Sequence, residues 1–149
     1  MTISKTNNSV FDEQGYLVVK DLWNPEELYR NVPSKTGQIH YWGKKLNEFT
    51  YAGEDMQVNG ATCCYNHPQY RNIHNQIRLK IEKIIGKKLY NTYYFDRFYF
   101  SNQKLEKHID RPSCEISVSI HVSSNSKKPW PIFVKTPNGD DVSVNLSAG

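Results

Sequence analysis

With 149 residues, 38% of them hydrophobic and 23% charged, the chain has room for one domain with a real core, and its composition excludes a disordered, collagen-like or disulfide-stapled protein. The formal net charge of +4 belongs to the second half, where 12 Lys and Arg stand against 7 Asp and Glu, whereas residues 1–75 carry 7 against 8. An excess that small does not call for nucleic acid as a partner. Cys63, Cys64 and Cys114 form an odd set with an adjacent pair, which points to a reducing, cytoplasmic compartment. The opening MTISKTNNSV has no apolar leader and no window approaches eighteen consecutive apolar residues, so no membrane association is expected.

In chain order, residues 15–20 (GYLVVK) read as a short strand, and NPEEL follows as a short helix. Asn24 is its N-cap, Pro25 its first residue, and Glu26 and Glu27 lie in its first turn. Residues 31–63 show no sustained period and read as loops with one strand near Tyr51 or over 56–58. From His67 onward the pattern is helical: Tyr70, Ile73, Ile77, Ile81, Ile84 and Ile85 share one face, and Gly86 stands at the C-terminal cap. Arg71, Arg78, Lys80 and Lys83 form the solvated face of this helix.

The rest of the chain reads as strands. Residues 89–101 (LYNTYYFDRFYFS) predict a long aromatic strand, Asn102 and Gln103 a turn, and residues 105–110 a further strand broken by Arg111 and Pro112. Residues 114–122 alternate, with Ile116, Val118, Ile120 and Val122 on one face and Glu115, Ser117, Ser119 and His121 on the other. A loop containing Trp130 leads to a strand over 132–136, a hairpin turn at Asn138-Gly139, and a returning strand over 142–146. The expectation is a single domain over 1–149, mainly β with flanking helices: an N-terminal strand and helices over 1–86, then barrel strands over 87–149 in a jelly-roll or cupin-like arrangement.

Residues 105–115, LEKHIDRPSCE, carry the chemistry. Side chains one residue apart on an extended segment share a face, so His108 and Asp110 project together. An imidazole and a carboxylate so placed make two-thirds of a 2-His-1-carboxylate metal site. The alternation places them, with Ser117, facing the interior of the expected barrel. His40, His67 and His74 read as surface or capping residues, His121 as a polar strand residue, and Cys63 and Cys64 as structural. Arg111 suits either a substrate carboxylate or a nearby acid such as Glu115.

The run YFSNQKLEKHID, together with the opening FDEQGYLVVKDLWNPEEL, resembles the Fe(II)- and 2-oxoglutarate-dependent dioxygenases, in particular their prolyl 4-hydroxylase-like branch. The resemblance implies a double-stranded β-helix with His108 and Asp110 as iron ligands, and Tyr99, with Arg97 beside it, as the residues that meet the 2-oxoglutarate carboxylate. It implies a hydroxylase of an unidentified small-molecule or peptide substrate, with Fe(II) as metal, 2-oxoglutarate and O2 as co-substrates, and ascorbate as an auxiliary. The family's turn before the motif commonly has a glycine where Asn102 and Gln103 stand, a replacement that Asn tolerates through its left-handed conformation. The family's second histidine and the Arg or Lys that follows it have no counterpart here, so the expectation is a barrel incomplete at the C-terminus and a third ligand still to be supplied. The rival reading is a non-catalytic jelly-roll binding module, with self-association through an open sheet edge.

Overall fold

The computed structural model describes residues 7–30 and 51–149. Its elements in chain order are α1 (Asn7–Gln14), α2 (Pro25–Leu28), β1 (Tyr51–Glu54), β2 (Thr62–Tyr65), a 3₁₀ turn at Pro68–Tyr70, α3 (Arg71–Ile85), β3 (Phe95–Phe98), a second 3₁₀ turn at Pro112–Cys114, β4 (Ile132–Lys135) and β5 (Asp141–Val144). Short antiparallel strands and a few helices therefore make up the described fold, and none of its helices is long and apolar enough to cross a membrane. Two compact units divide it: residues 7–29, 77–89 and 118–149 form one, and residues 30, 51–76 and 90–117 the other.

In the first unit, α1 ends at Gly15, whose φ of 75° and N–H bond to the Phe11 carbonyl (2.8 Å) close the last turn. A side chain there would strike the ring of Pro137. Asn24 caps α2 as its spacing predicts, its side chain accepting from the Glu26 N–H at 3.1 Å. The later turns of α3 bury Ile77, Ile81 and Ile85. Gly86, at φ 67°, ends the helix with its N–H on the Glu82 carbonyl.

Cations on α3 and just after it are held by specific partners. Lys80 lies over the Trp23 ring and donates to the Leu22 carbonyl (2.8 Å), Lys87 pairs with Asp12, and Arg78 pairs with Glu82 one turn on. The Glu82 carboxyl is held below its usual range chiefly by the Leu89 N–H it accepts. Strands β4 and β5 form the expected hairpin, with Val134 opposite Val142 and Lys135 opposite Asp141. Gly139 takes its turn at φ 93°, its N–H on the Thr136 carbonyl.

The second unit is built on the antiparallel sheet β1-β2-β3. Its register sets Cys63 opposite Arg97 and Cys64 opposite Asp96. Neighbouring residues of a strand face opposite sides, so each face of the sheet receives one charged residue from β3. On one face the Arg97 Nε donates to Asp55 Oδ2 (2.5 Å) and its Nη2 to Gln57 Oε1 (2.8 Å). Asp55 Oδ1 accepts from the N–H groups of Gln57 (2.7 Å) and Val58 (3.0 Å), which forms the turn after β1. On the other face Arg30 donates through Nε (2.8 Å) and Nη2 to Asp96 Oδ2, and Asp96 Oδ1 accepts from the Cys64 N–H. The Arg30 guanidinium lies over the rings of Tyr70 and Phe98.

Five segments differ from the pattern read in the sequence. The eight residues of α1 form a helix without the terminal charges that announce one, with no acidic residue in the first turn and no basic one in the last. The aromatic stretch 89–101 is laddered only over Phe95–Phe98. Residues 15–20, 105–110 and 114–122 include no strand, because a strand is defined by its hydrogen-bonded neighbour and no described strand pairs with them.

Candidate metal centre

The approach to the His-x-Asp segment is a tight turn. Asn102 takes the left-handed conformation (φ 67°), the role a glycine would fill. Gln103 closes the turn: its side-chain oxygen accepts from the Phe100 N–H (2.7 Å), and its amide nitrogen donates to the Asn59 carbonyl (2.9 Å). From this anchored turn the chain runs to His108 and Asp110, which lie side by side as their spacing predicts, with Nε2 3.4 Å from Oδ1. Their side chains are 40% and 43% exposed, and no described strand ladder runs over 105–110.

The hydrogen-bond partners of the two side chains fix which atoms are on offer. His108 Nδ1 lies 2.9 Å from the Glu106 carbonyl oxygen. A carbonyl can only accept, so Nδ1 carries a proton and donates it. In the neutral ring the Nε2 lone pair then faces Asp110 Oδ1, and two electron-rich atoms at that distance are repulsive unless a cation lies between them or Nε2 is protonated too. Donors about 2.1 Å from a small metal ion are separated by roughly 3.0 Å in cis octahedral and 3.4 Å in tetrahedral positions, so this pair has the tetrahedral separation and would close by roughly 0.4 Å on an octahedral ion. An imidazole whose second nitrogen donates to a backbone carbonyl is the form in which histidine binds metals. Among the described residues, no third His, Cys, Asp or Glu joins them to form a metal-holding group.

Ser117 Oγ donates to Asp110 Oδ2 at 2.5 Å. Its proton is committed to the carboxylate and not to His108, which sets the trio apart from a serine nucleophile activated by histidine. Tyr99 accepts from Arg97 Nη1 (2.9 Å). Arg97 is thus engaged by Asp55, Gln57 and Tyr99 at once. Arg111 lies with its guanidinium 5.0 Å from the centre of the Tyr93 ring, which itself stacks on Tyr65 at 4.8 Å.

The remaining candidates have structural places. His67 caps the 3₁₀ turn at Pro68–Tyr70, its Nδ1 accepting from the Gln69 N–H, and burial holds its imidazole below the ordinary value. His74 packs on Tyr94, and the His121 carbonyl accepts from the Gly149 N–H. His40 lies outside the described residues. Cys63 and Cys64 are buried in β2, and burial pushes their thiols up to about 12 and about 11. Such thiols are poor nucleophiles. Native protein treated with iodoacetamide should therefore take up label at Cys114 alone, and at all three cysteines once denatured, as read by mass spectrometry. Native labelling of Cys63 or Cys64 at the rate of Cys114 would contradict a closed β2.

Neither the carbonyl of Glu106 nor the two buried ion pairs is visible in the sequence. Their partners are set by backbone path and by long-range packing. Comparison of the chain with protein-family models, with curated proteins and with solved structures finds no match in any of the three.

Proposed function

We propose that the chain is an Fe(II)- and 2-oxoglutarate-dependent oxygenase of the jelly-roll kind, with His108 and Asp110 as two of its metal ligands. The observation that carries this reading is the approach of His108 Nε2 to Asp110 Oδ1 at 3.4 Å, each side chain held from behind by a hydrogen bond. Bound iron would supply activation of O2 for hydroxylation of a substrate C–H bond, coupled to conversion of 2-oxoglutarate to succinate and carbon dioxide. The chain's own residues hold and orient. Glu106 fixes the imidazole ring through its carbonyl, Ser117 fixes the carboxylate, and Tyr99, steadied by Arg97, is the hydroxyl assigned to the co-substrate carboxylate. Arg111, planar and permanently charged, is the residue assigned to an anionic group of the substrate. The imidazole and carboxylate donors suit a first-row divalent ion.

Titration of Mn(II), a redox-stable stand-in for Fe(II), into the 149-residue chain tests the assignment through the loss of the free-ion electron paramagnetic resonance signal. Saturable binding is expected, and each of His108→Ala and Asp110→Ala should weaken it by more than the roughly 10- to 100-fold typical of changes behind a ligand. Wild-type binding no tighter than that of His108→Ala would overturn the metal reading and leave the non-catalytic binding module.

A further inference from the structure

The two oxygens of Asp110 have different neighbours. Oδ1 is the atom 3.4 Å from His108 Nε2, while Oδ2 is 2.5 Å from Ser117 Oγ. The Ser117 hydroxyl has one proton to give, and its other acceptor in range, the Cys114 carbonyl, is 3.4 Å away. The short, charge-assisted bond to the carboxylate takes that proton. Ser117 reaches Asp110 because the 3₁₀ turn at Pro112–Cys114, closed by the Cys114 N–H on the Arg111 carbonyl (2.8 Å), brings the chain back toward the residue it has just left.

We infer that Ser117 is a positioning residue that makes Asp110 a one-oxygen ligand, and that it thereby sets the site to take a small divalent transition metal in preference to Ca(II). This rests on the reading of His108 and Asp110 as metal ligands. Calcium gathers six to eight oxygens and commonly takes both from one carboxylate. With Oδ2 covered by the hydroxyl, Asp110 has only Oδ1 to give, and its neighbour is a nitrogen donor, which suits manganese, iron or zinc. The same hydrogen bond stops rotation about the Cβ–Cγ bond, so that Oδ1 stays beside Nε2. Removing the hydroxyl frees the second oxygen and the rotation together, so affinity for Mn(II) falls while that for Ca(II) rises or stays level.

The experiment measures Mn(II) affinity by the same resonance signal, and the concentration of Ca(II) that displaces half of the bound Mn(II), for wild type, Ser117→Ala, Ser117→Thr and His108→Ala. Ser117→Ala should weaken Mn(II) binding by about 10- to 100-fold and raise the ratio of the Ca(II) to the Mn(II) affinity constant by at least a similar factor, eroding the preference against calcium. Ser117→Thr, which keeps a hydroxyl, should remain within a few-fold of wild type on both measures. Equal Mn(II) affinity and equal ion preference in wild type and Ser117→Ala, with binding still lost in His108→Ala, would overturn the role of Ser117 and leave the two ligands standing. A Ser117→Thr variant as impaired as Ser117→Ala would overturn it as well, since the hydroxyl would then not be what matters. Wild type that binds no better than His108→Ala would remove the metal site itself, and this inference with it.

Discussion

Replacing Asp55 by alanine is expected to destabilise the protein by about 3–5 kcal/mol, the cost of stranding one member of a buried ion pair. The side chains of Arg97 and Asp55 retain only 8% and 3% of their exposure, and Asp55 also satisfies the N–H groups of Gln57 and Val58. Its loss leaves a desolvated guanidinium and two unpaired backbone donors in the turn after β1. Arg97→Ala should cost a similar amount, and the double variant less than the sum, because neither charge is then stranded. The exposed pair Lys104–Glu106 serves as control, where Lys104→Ala should change stability by no more than about 1 kcal/mol.

Urea unfolding midpoints at neutral pH measure these differences, and their dependence on acid separates the charge from the packing. Burial pushes the Asp55 carboxyl upward, but the Arg97 hydrogen bond and the Gln57 and Val58 N–H groups outweigh it and hold the carboxyl below its ordinary 3.8. A depressed folded value means that the unfolded chain takes up a proton first. The contribution of Asp55 is therefore present above about pH 4 and lost as pH falls through the folded value. Asp55→Ala should lack this acid-sensitive component. A variant within about 1 kcal/mol of wild type at pH 7 would contradict a desolvated, stabilising pair.

At the alkaline end, stability should fall by on the order of several kcal/mol between pH 9 and pH 12. Burial raises Cys63 from 9.0 to about 12, Cys64 from 9.0 to about 11, and Tyr70 from 10.0 to about 12. For groups raised on folding, the stabilising contribution is complete below the unfolded value and disappears as pH rises through the folded one. The unfolded chain releases these protons first, so unfolding becomes progressively easier through that window. Cys63→Ala and Cys64→Ala should flatten the decline in proportion to the thiols removed, and Tyr70→Phe should remove the upper part of it. Thermal midpoints recorded across the range provide the measurement. A profile level to pH 12 would show that these groups are open to water.

The features legible in the sequence are those whose cause is local. Asn24, Pro25 and the two glutamates after them specify a helix start within a few residues, and Gly86 and Asn138-Gly139 mark a cap and a turn by what a left-handed or tight backbone demands. The isoleucines of α3 repeat at the helical period because one face of that helix is buried. Asn102 shows the same economy, its left-handed φ following from a turn in which few other side chains fit. The alternation over 114–122 is of another kind. It states which side chains would share a face if the segment were extended, but contains nothing about a neighbouring strand to pair with.

The candidate site divides along the same line. His108 and Asp110 are brought together by their own spacing and are visible as a pair without any tertiary information. Ser117 stands seven residues from Asp110, and its approach depends on the 3₁₀ turn between them. The role of Arg97 is set by Asp55, 42 residues earlier in the chain, and that of Asp96 by Arg30, 66 residues earlier. Two charges inside an aromatic run announce that partners must exist, since unpaired charges are not buried. The sequence does not say where those partners lie.

The adjacency of Asp96 and Arg97 on β3 bears on how the sheet avoids misassembly. A strand of four residues with aromatic neighbours on both sides has almost no hydrophobic alternation to distinguish one alignment from the next. Sliding β3 by one position would exchange its two faces, setting, according to the direction, either the carboxylate of Asp96 opposite Cys63 and against that of Asp55, or the guanidinium of Arg97 opposite Cys64 and against that of Arg30. The native alignment joins opposite charges on both faces, and either nearest wrong one joins like charges on one face and leaves the other buried charge without its partner. The two ion pairs thus act as a keyed lock on the strand, rejecting by repulsion an error that the apolar residues would tolerate.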